Sequence, residues 1–356
     1  MRAELGGEYR IELLFLVGAI LAGGCLLTSA SAQETVNRIK SAGQVVSGVN
    51  VRAGLADLPT GTGCEGLSID LTKAVAAAVL GDPRKVSFVT ADRKSGPEGL
   101  LKGETNLYLP VEPMAPSKLA RLGLAASQPF FFNVQKVMVT KDSGITAVDQ
   151  LRNKSIAVQP GYVNEQNLEM ANEEHLRNYF RRAGWQLMVF PFQEWDEMES
   201  AFLSGRVKAV SAEETELARL RAANREGAGD AVILPEVIGM GPVSAVVRSG
   251  DLNWLTLLNA TISLLIDAEY LGICSDNVDV MKNVSDPEIQ YLLGVTPGIG
   301  IAVGLDDRWG ERVIKAVGNY GQVFKRDLGA DSALGIPRGL NELWSHGGLL
   351  YPGPIR

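Results

Sequence analysis

Carboxylate side chains are the groups in this sequence that could take part in the widest range of chemistry. They cluster at Glu194–Glu199 and at Glu213–Glu216, and Glu112 follows a short apolar stretch. A carboxylate can accept hydrogen bonds from an ammonium group, or it can act as a general acid when burial raises its pKa. A run of charges on a helix is usually a solvated face, so these residues indicate binding or acid chemistry only where a fold encloses them.

No other pattern in the sequence indicates metal, nucleotide or covalent chemistry. The histidines His175 and His346 are isolated, which is typical of surface or packing residues, and no Cys-x-x-Cys motif occurs. The sequence also contains no phosphate-binding P-loop and no Gly-x-Ser-x-Gly elbow. We therefore expect no metal and no cofactor. Cys64 and Cys274 could form a disulfide in an oxidising compartment or remain two free thiols.

Length and composition indicate a globular protein with more than one core. The chain has 356 residues, of which 46% are hydrophobic and 21% are charged. A single core seldom holds so many residues, so two lobes are expected. The net charge of −7, with no tract rich in Lys or Arg, disfavours a nucleic-acid partner.

The N-terminus has the pattern of an export signal. Leu13–Leu27 is an apolar run preceded by Arg2 and Arg10, and the Ala-Ser-Ala sequence that ends at Ala32 fits a signal-peptidase site. A membrane-spanning helix needs about 20 apolar residues, which is more than this run supplies. We predict that residues 1–32 are a cleaved signal peptide and that the mature protein is periplasmic. The alternative is a retained N-terminal membrane anchor.

Strand-like and helix-like segments alternate along the first two thirds of the chain. Gln44–Val51 and Lys85–Thr90 are predicted to be strands. Between them, Leu71–Leu80 is predicted to be a helix with Asp70 as its N-cap. Near the C-terminus, Arg308–Leu328 is predicted to form one helix. This order of elements indicates an α/β sheet with crossover helices.

Two predicted strands bracket a long segment that has a complete α/β pattern of its own. They are Val134–Thr140 and Val243–Val247. A domain inserted through two crossing strands is what a hinged clamp requires. We therefore predict one lobe from residues 33–139 plus 244–356 and a second, inserted lobe from residues 140–243.

The C-terminal segment Val313–Arg356 closely resembles the tail of periplasmic general L-amino-acid-binding proteins, which belong to family 3 of the solute-binding components of ABC transporters. Leu71–Val79, Ile233–Glu236 and Asp279–Asn283 also match, and the similarity covers essentially the whole mature chain. The resemblance implies the type II periplasmic-binding-protein fold, with two α/β lobes joined by two hinge strands. It also implies a small ligand, an amino acid or an amine, captured between the lobes, and an inner-membrane ABC permease as partner.

The ligand motif of the first lobe departs from the resemblance. In the family, an arginine binds the α-carboxylate of the ligand, since its planar fork matches a carboxylate bidentately. The corresponding position here is Pro110, which has neither a charge nor an N–H group. Glu112 places a negative charge near the expected carboxylate. An alternative is that another cation, such as Lys118 or Arg121, replaces the arginine.

The resemblance assigns further ligand contacts to two segments of the second lobe. The family's Gln-Ser-Gly-Thr-Thr motif is Gln159–Val163 here, which keeps Gly161 but has Tyr162 and a valine in place of the threonines. A later aspartate of the family, which accepts the ammonium group of the ligand, corresponds to Glu213. The candidate ligand-binding residues are therefore Gly161, Tyr162, Glu213 and Glu112, with no catalytic residue assigned.

We expect a monomeric, non-enzymatic binding component, and these departures predict that its specificity is shifted from ordinary α-amino acids. A tight ligand should be cationic or lack a free α-carboxylate, because the changes remove donors and add acceptors. Two alternatives stay open. One is a dehydratase-like lyase on the same scaffold, with Glu213 or Glu112 as general acid, and the other is a sensory or interaction paralogue that no longer serves transport.

Overall fold

Strands and helices alternate through most of the chain, as an α/β fold requires. The computed structural model of the protein describes residues 34–58, 63–159, 172–224 and 231–354. Its strands are β1 (Val45–Val49), β2 (Val86–Thr90), β3 (Leu107–Leu109), β4 (Leu124–Thr140), β5 (Ser155–Val158), β6 (Met188–Pro191), β7 (Ala209–Glu213), β8 (Ala231–Ile233) and β9 (Gly239–Arg248). Its helices are α1 (Glu34–Ala42), α2 (Leu67–Leu80), α3 (Ser95–Lys102), α4 (Pro116–Leu122), α5 (Asn172–Arg182), α6 (Trp195–Leu203), α7 (Glu214–Ala223), α8 (Leu252–Tyr270), α9 (Val278–Met281), α10 (Pro287–Leu292), α11 (Ile299–Ala302), α12 (Trp309–Val317) and α13 (Tyr320–Asp327).

Nine strands in the described part of the chain form one mixed sheet, in the order β2-β1-β3-β9-β4-β7-β5-β6, with β8 paired to β4. β1 is parallel to β2 and β3, and β5 is parallel to β6 and β7. The long strands β4 and β9 are antiparallel to each other, from Leu124 opposite Arg248 to Gln135 opposite Gly239. β9 also pairs with β3 and β4 also pairs with β7, so these two strands connect two halves of the sheet.

Each half of the sheet has its own hydrophobic core. The half that we call lobe 1 packs α2, α8, α12 and α13 against β1, β3 and β9, with Trp254 and Trp309 fully buried. The other half, lobe 2, has separate clusters around Phe202 and around Phe180. Parallel strands covered by helices on both faces are expected to pack in this way. The predicted α/β class, with two lobes joined by two strands, is confirmed.

The first crossover helix differs from its prediction at the N-terminus. α2 begins one turn earlier than predicted, at Leu67, and Gly66 precedes it, so Asp70 is not its N-cap. Asp70 lies in the first turn, where its side chain forms ion pairs with Lys73 and Arg326. Long-range pairing of this kind is not visible in local capping patterns, which is why the prediction was wrong.

The predicted helix Arg308–Leu328 is two helices, α12 and α13. Gly318 follows α12 with a φ of 88°, a conformation that glycine adopts at little steric cost. The Asn319 side chain then accepts a hydrogen bond from the backbone N–H of Gln322, and the Gln322 side chain accepts one from the Asn319 N–H. This capping box starts a new helix, which apolar periodicity alone does not reveal.

Candidate functional site

Charged side chains follow the carboxyl ends of the parallel strands in both lobes. In lobe 1, Arg52 follows β1, Arg93 follows β2 and Glu112 follows β3. In lobe 2, Glu213 is the last residue of β7, and its charge lies close enough to affect the pKa of Arg93. Ligands of α/β folds bind in the crevice outside the carboxyl ends of the strands. This crevice between the lobes, which we call the cleft, is the candidate site.

Arg93 supplies a positive charge to the lobe 1 wall of the cleft. Its guanidinium forms an ion pair with the Glu112 carboxylate, and the two side chains are 36% and 27% exposed. Burial lowers the pKa of Arg93, while the negative charge of Glu213 acts in the opposite direction. Pro110, which the sequence analysis expected at the position of the family's arginine, is buried. The wall therefore has a guanidinium from a different loop, and that guanidinium already has a carboxylate partner.

Further cations lie near Arg93. Burial lowers the pKa of Lys118, and the charges of Arg93 and Arg121 lower it further. The charge of Arg52 affects the pKa of Arg93 in the same direction. The lobe 1 wall is therefore not the purely acidic surface that Glu112 alone would make.

Glu213 is a hydrogen-bond acceptor on the lobe 2 wall. Asn172, at the start of α5, donates from Nδ2 to Glu213 Oε1 at 3.2 Å. Gln135 lies opposite Glu213 in the register of β4 and β7, and its Nε2 donates to the Ser211 hydroxyl at 2.9 Å. His175 Nδ1 lies 3.1 Å from Gln135 Oε1. Burial lowers the pKa of the His175 imidazole, which favours its neutral form. His175 thus belongs to this polar layer, which its isolation in the sequence did not predict.

Lys136 lies on the other face of β4, because successive side chains of a strand alternate. Its Nζ is 2.8 Å from Glu214 Oε1, and the two side chains are only 11% and 10% exposed. A cavity of about 400 Å³ lies beside this pair. Its wall is made of Lys136, Glu214, Arg221, Ile233, Pro235, Ile336 and Pro337. Glu214 therefore neutralises Lys136, whereas its neighbour Glu213 faces the cleft.

Two of the four residues predicted from the sequence can be located. Glu112 and Glu213 lie on opposite walls of the cleft. Gly161 and Tyr162 lie outside the described residues. The sequence analysis missed Arg93, because it considered only cations that follow Pro110 in the chain. The position of Arg93 directly after a predicted strand was the available indication, since the carboxyl ends of parallel strands line such clefts.

Within residues 34–58, 63–159, 172–224 and 231–354, no helix is long and apolar enough to cross a membrane. In the same ranges, no group of three or more His, Cys, Asp or Glu residues is placed to hold a metal ion. Cys64 and Cys274 are both free thiols. The charged cleft is therefore the feature of the described chain that best fits a ligand.

A charged cleft between two α/β lobes that are joined by two strands defines a class: the solute-binding proteins that close around a small molecule. Known proteins agree with this assignment. The chain is 34% identical to the general L-amino acid-binding periplasmic protein AapJ of Rhizobium johnstonii, over 95% of this chain and 96% of that protein. It is 32% identical to the glutamate/glutamine/aspartate/asparagine-binding protein BztA of Rhodobacter capsulatus, over 94% and 97% of the two chains.

A solved structure supports the same assignment. An ABC transporter periplasmic binding protein from Brucella ovis, with glutathione bound, superposes with a TM-score of 0.76 at 34% identity, covering 90% of this chain and 99% of that one. No family model matches the sequence. The chain belongs to the family of periplasmic amino-acid-binding proteins of ABC transporters, and its fold is the type II periplasmic-binding-protein fold.

Membership in this family defines the general role of the protein. It is the solute-binding component of an amino-acid-type ABC transporter, and the family works in the periplasm with an ABC permease. These relatives are named as binding proteins rather than enzymes, which fits a transport role better than the dehydratase-like alternative.

Proposed function

We propose that this protein binds its ligand through an ammonium group, with Glu213 as the acceptor, and that its specificity is shifted from ordinary α-amino acids. The observation that carries this proposal is the ion pair between Arg93 and Glu112 on the wall opposite Glu213. A ligand carboxylate has to share the guanidinium with Glu112 or displace it, and the charge of Glu112 repels the ligand carboxylate in either case. An ammonium group instead meets Glu213, whose hydrogen-bond partner Asn172 is neutral.

The size of the discrimination follows from the chemistry of one lost contact. A hydrogen bond to a charged group contributes about 1.5–3 kcal/mol, and about 1.4 kcal/mol corresponds to a tenfold change in affinity. A ligand carboxylate that finds no available guanidinium should therefore weaken binding by roughly tenfold to a hundredfold. Amines, amides of amino acids and cationic ligands avoid this cost.

Calorimetry on the mature protein tests the proposal with a matched pair of ligands. L-leucine and L-leucinamide differ only in the carboxylate, and we expect leucinamide to bind at least about ten times more tightly. Glu213→Gln should weaken leucinamide, because it removes the charge that pairs with the ammonium group. Asp142→Asn changes an exposed carboxylate that pairs with Lys208 and is the control. Micromolar or tighter binding of leucine, alanine or glutamate to the native protein would show that a carboxylate site exists.

A second ligand class has a specific observation in its favour. The Brucella ovis relative, which is 34% identical, holds glutathione, a peptide with one ammonium group and two carboxylates. Arg93 and Lys118 lie within electrostatic reach of each other on lobe 1, so a larger acidic ligand could contact both of them. Glutathione belongs in the same calorimetric panel. Micromolar binding of glutathione together with weak binding of leucinamide would favour this second class.

We also propose that the mature protein begins at Gln33, is a monomer, and returns its ligand unchanged. The apolar run that ends before Ala32 supports export, and the long strands β4 and β9 support lobe boundaries at 33–139 plus 244–356 and at 140–243. Light scattering tests the monomer, and recovery of intact ligand after long incubation tests the absence of turnover. Met1 found intact on membrane-bound protein would support an anchor instead.

A further inference from the structure

Helix α7 follows β7 in lobe 2, yet three of its side chains contact lobe 1. Glu216 Oε1 lies 3.0 Å from Arg52 Nη1. Arg221 Nη2 donates to the backbone carbonyl oxygen of Leu334 at 2.8 Å. Ala218 is buried in the hydrophobic core cluster of lobe 1. Opening of the lobes about β4 and β9 would therefore have to break these contacts, and closing would restore them.

The Glu216 carboxylate is fixed from its own lobe. Its Oε2 accepts a hydrogen bond from Arg219 Nε at 3.0 Å, and Arg219 Nη2 donates to Glu199 Oε2 at 3.2 Å. The indole N–H of Trp195 donates to the same Glu199 oxygen at 2.8 Å, and the Arg219 guanidinium lies 5.6 Å from the centre of the Trp195 ring. Because Glu216 is already oriented, pairing with Arg52 costs it little conformational entropy.

Arg52 is fixed on the opposite side by a tight turn. The Arg52 N–H donates to the Ala56 carbonyl at 3.1 Å, and the Ala56 N–H donates to the Arg52 carbonyl at 2.8 Å. Within this turn Gly54 has a φ of 73°, and a Cβ atom there would come closer than 3.0 Å to the side chains of Leu328 and Leu334. The turn thus packs on the same Leu334 whose carbonyl accepts a hydrogen bond from α7.

The surroundings of the Arg52–Glu216 pair make its charges effective. The two side chains are 19% and 14% exposed, compared with 54% and 69% for Lys208 and Asp142 on the surface of lobe 2. Exposed pairs contribute little, whereas partly buried pairs are screened less by water and salt. Apolar packing nearby is incomplete, because the cavity of about 400 Å³ lies between α7 and the C-terminal tail, with Arg221 on its wall. The polar contacts therefore add to the apolar contact that Ala218 makes with lobe 1.

We propose that the Arg52–Glu216 pair is a clasp between the lobes, which sets the population of the closed form and so the affinity for ligand. Arg52 and Glu216 act as positioning residues, because neither has to touch the ligand. If only the closed cleft holds a ligand on both walls, the apparent dissociation constant is the intrinsic constant divided by the closed fraction. The inference requires that the protein closes on its ligand, but not that the ligand is of the class proposed above.

Small-angle X-ray scattering of the ligand-free protein tests the clasp without any ligand. We expect Arg52→Gln and Glu216→Gln each to increase the radius of gyration, because the closed form loses its charge pair. The double variant should show no larger increase than either single variant, since both remove the same interaction. Lys208→Gln, which removes the surface pair within lobe 2, is the matched control and should scatter like the native protein. The proposal is overturned if both single variants scatter like the native protein while circular dichroism shows that they are folded.

Binding kinetics give a second readout. With L-leucinamide and glutathione as probes, each single substitution should raise the Kd about threefold to tenfold, mainly through faster dissociation. Lys208→Gln should leave the Kd unchanged. Unaltered affinity of both single variants for a probe that binds the native protein would also contradict the clasp. If neither probe binds the native protein, the proposed ligand classes fail, and the scattering result alone decides on the clasp.

Discussion

Asp327→Asn is a substitution for which the structure predicts a large pH-dependent change in stability. The Asp327 side chain lies at the end of α13 and is 4% exposed. Burial first, and then the negative charge of Asp70, raise the pKa of Asp327 to about 7, while Arg326 and Lys73 act in the opposite direction. Arg326 Nε lies 3.4 Å from Asp327 Oδ1, but the same guanidinium also pairs with Asp70. One arginine therefore serves two buried carboxylates.

Because the pKa of Asp327 is raised in the folded protein, the stability of the protein should fall as the pH rises. In the unfolded chain Asp327 should have its ordinary pKa of 3.8, whereas in the folded protein the pKa is about 7. The folded state therefore binds the proton more tightly, and its stability falls as the pH rises from about 4 to about 7. At about 1.4 kcal/mol for each pH unit, the difference reaches about 4 kcal/mol above pH 7. An asparagine stays neutral at every pH and should remove this loss.

Urea unfolding of the native protein and of Asp327→Asn between pH 4 and pH 8 measures the effect. We expect similar free energies of unfolding at pH 4, and a variant that is more stable by up to about 4 kcal/mol at pH 8. Asp279→Asn is the matched control of opposite sign, because hydrogen bonds from Lys315 and Lys282 lower the pKa of that exposed carboxyl. That control should be slightly less stable than the native protein above pH 4. A difference between native protein and Asp327→Asn that is the same at all pH values would refute the reasoning.

Three further predictions concern the turn, the buried ion pair and the N-terminus. Gly54→Ala should destabilise the protein by about 2–4 kcal/mol, because the added Cβ meets the side chains of Leu328 and Leu334 and the backbone φ is positive. Gly144→Ala, where the added Cβ has open space, should cost about 1 kcal/mol in the same thermal or urea unfolding. Lys136→Met should cost about 3–5 kcal/mol because it leaves Glu214 buried without its cation, and a second change, Glu214→Leu, should recover most of that loss. N-terminal sequencing of protein from the periplasm should begin at Gln33, and an earlier start would contradict the predicted cleavage.

Local patterns predicted the elements of the fold well where one face of a segment is buried. Val134–Thr140 and Val243–Val247 lie within β4 and β9, although β4 begins earlier, at Leu124. Pairing of β4 with β9 continues across the irregular stretch around Pro129, and only the partner strand shows that these residues are extended. Boundaries that depend on distant partners were therefore not predictable from periodicity.

The candidate site was predicted only in part, and the reason is again the distance between partners in the chain. Glu112 and Glu213 were predicted because the resemblance places Glu112 near the expected ligand carboxylate and matches Glu213 to the family's aspartate. Arg93 was missed because a motif comparison considers substitution at Pro110, not a cation that arrives from another loop. Arg93 reaches Glu112 only because β2 and β3 lie on either side of β1 in the sheet. The motif around Pro110 shows that an arginine is absent there, but it does not show which other loop supplies a guanidinium to the cleft.

The Arg93–Glu112 pair leads to a last prediction about how the cleft distinguishes ligands. When a ligand carboxylate binds Arg93, it competes with Glu112 for the same guanidinium and is repelled by the charge of Glu112, so the net gain is small. Glu112→Gln removes the resident charge without changing the shape of the side chain, and it leaves the full attraction of the guanidinium for the ligand. We expect this variant to bind L-leucine about tenfold to a hundredfold more tightly than the native protein does, as a charge-assisted hydrogen bond would give. L-leucinamide, which has no carboxylate, should bind equally well or slightly less well, and Arg93→Gln should abolish the gain for leucine when combined with Glu112→Gln. Calorimetry on the native protein and these two variants decides the matter: equal changes for leucine and leucinamide would show that Glu112 does not compete with the ligand for Arg93.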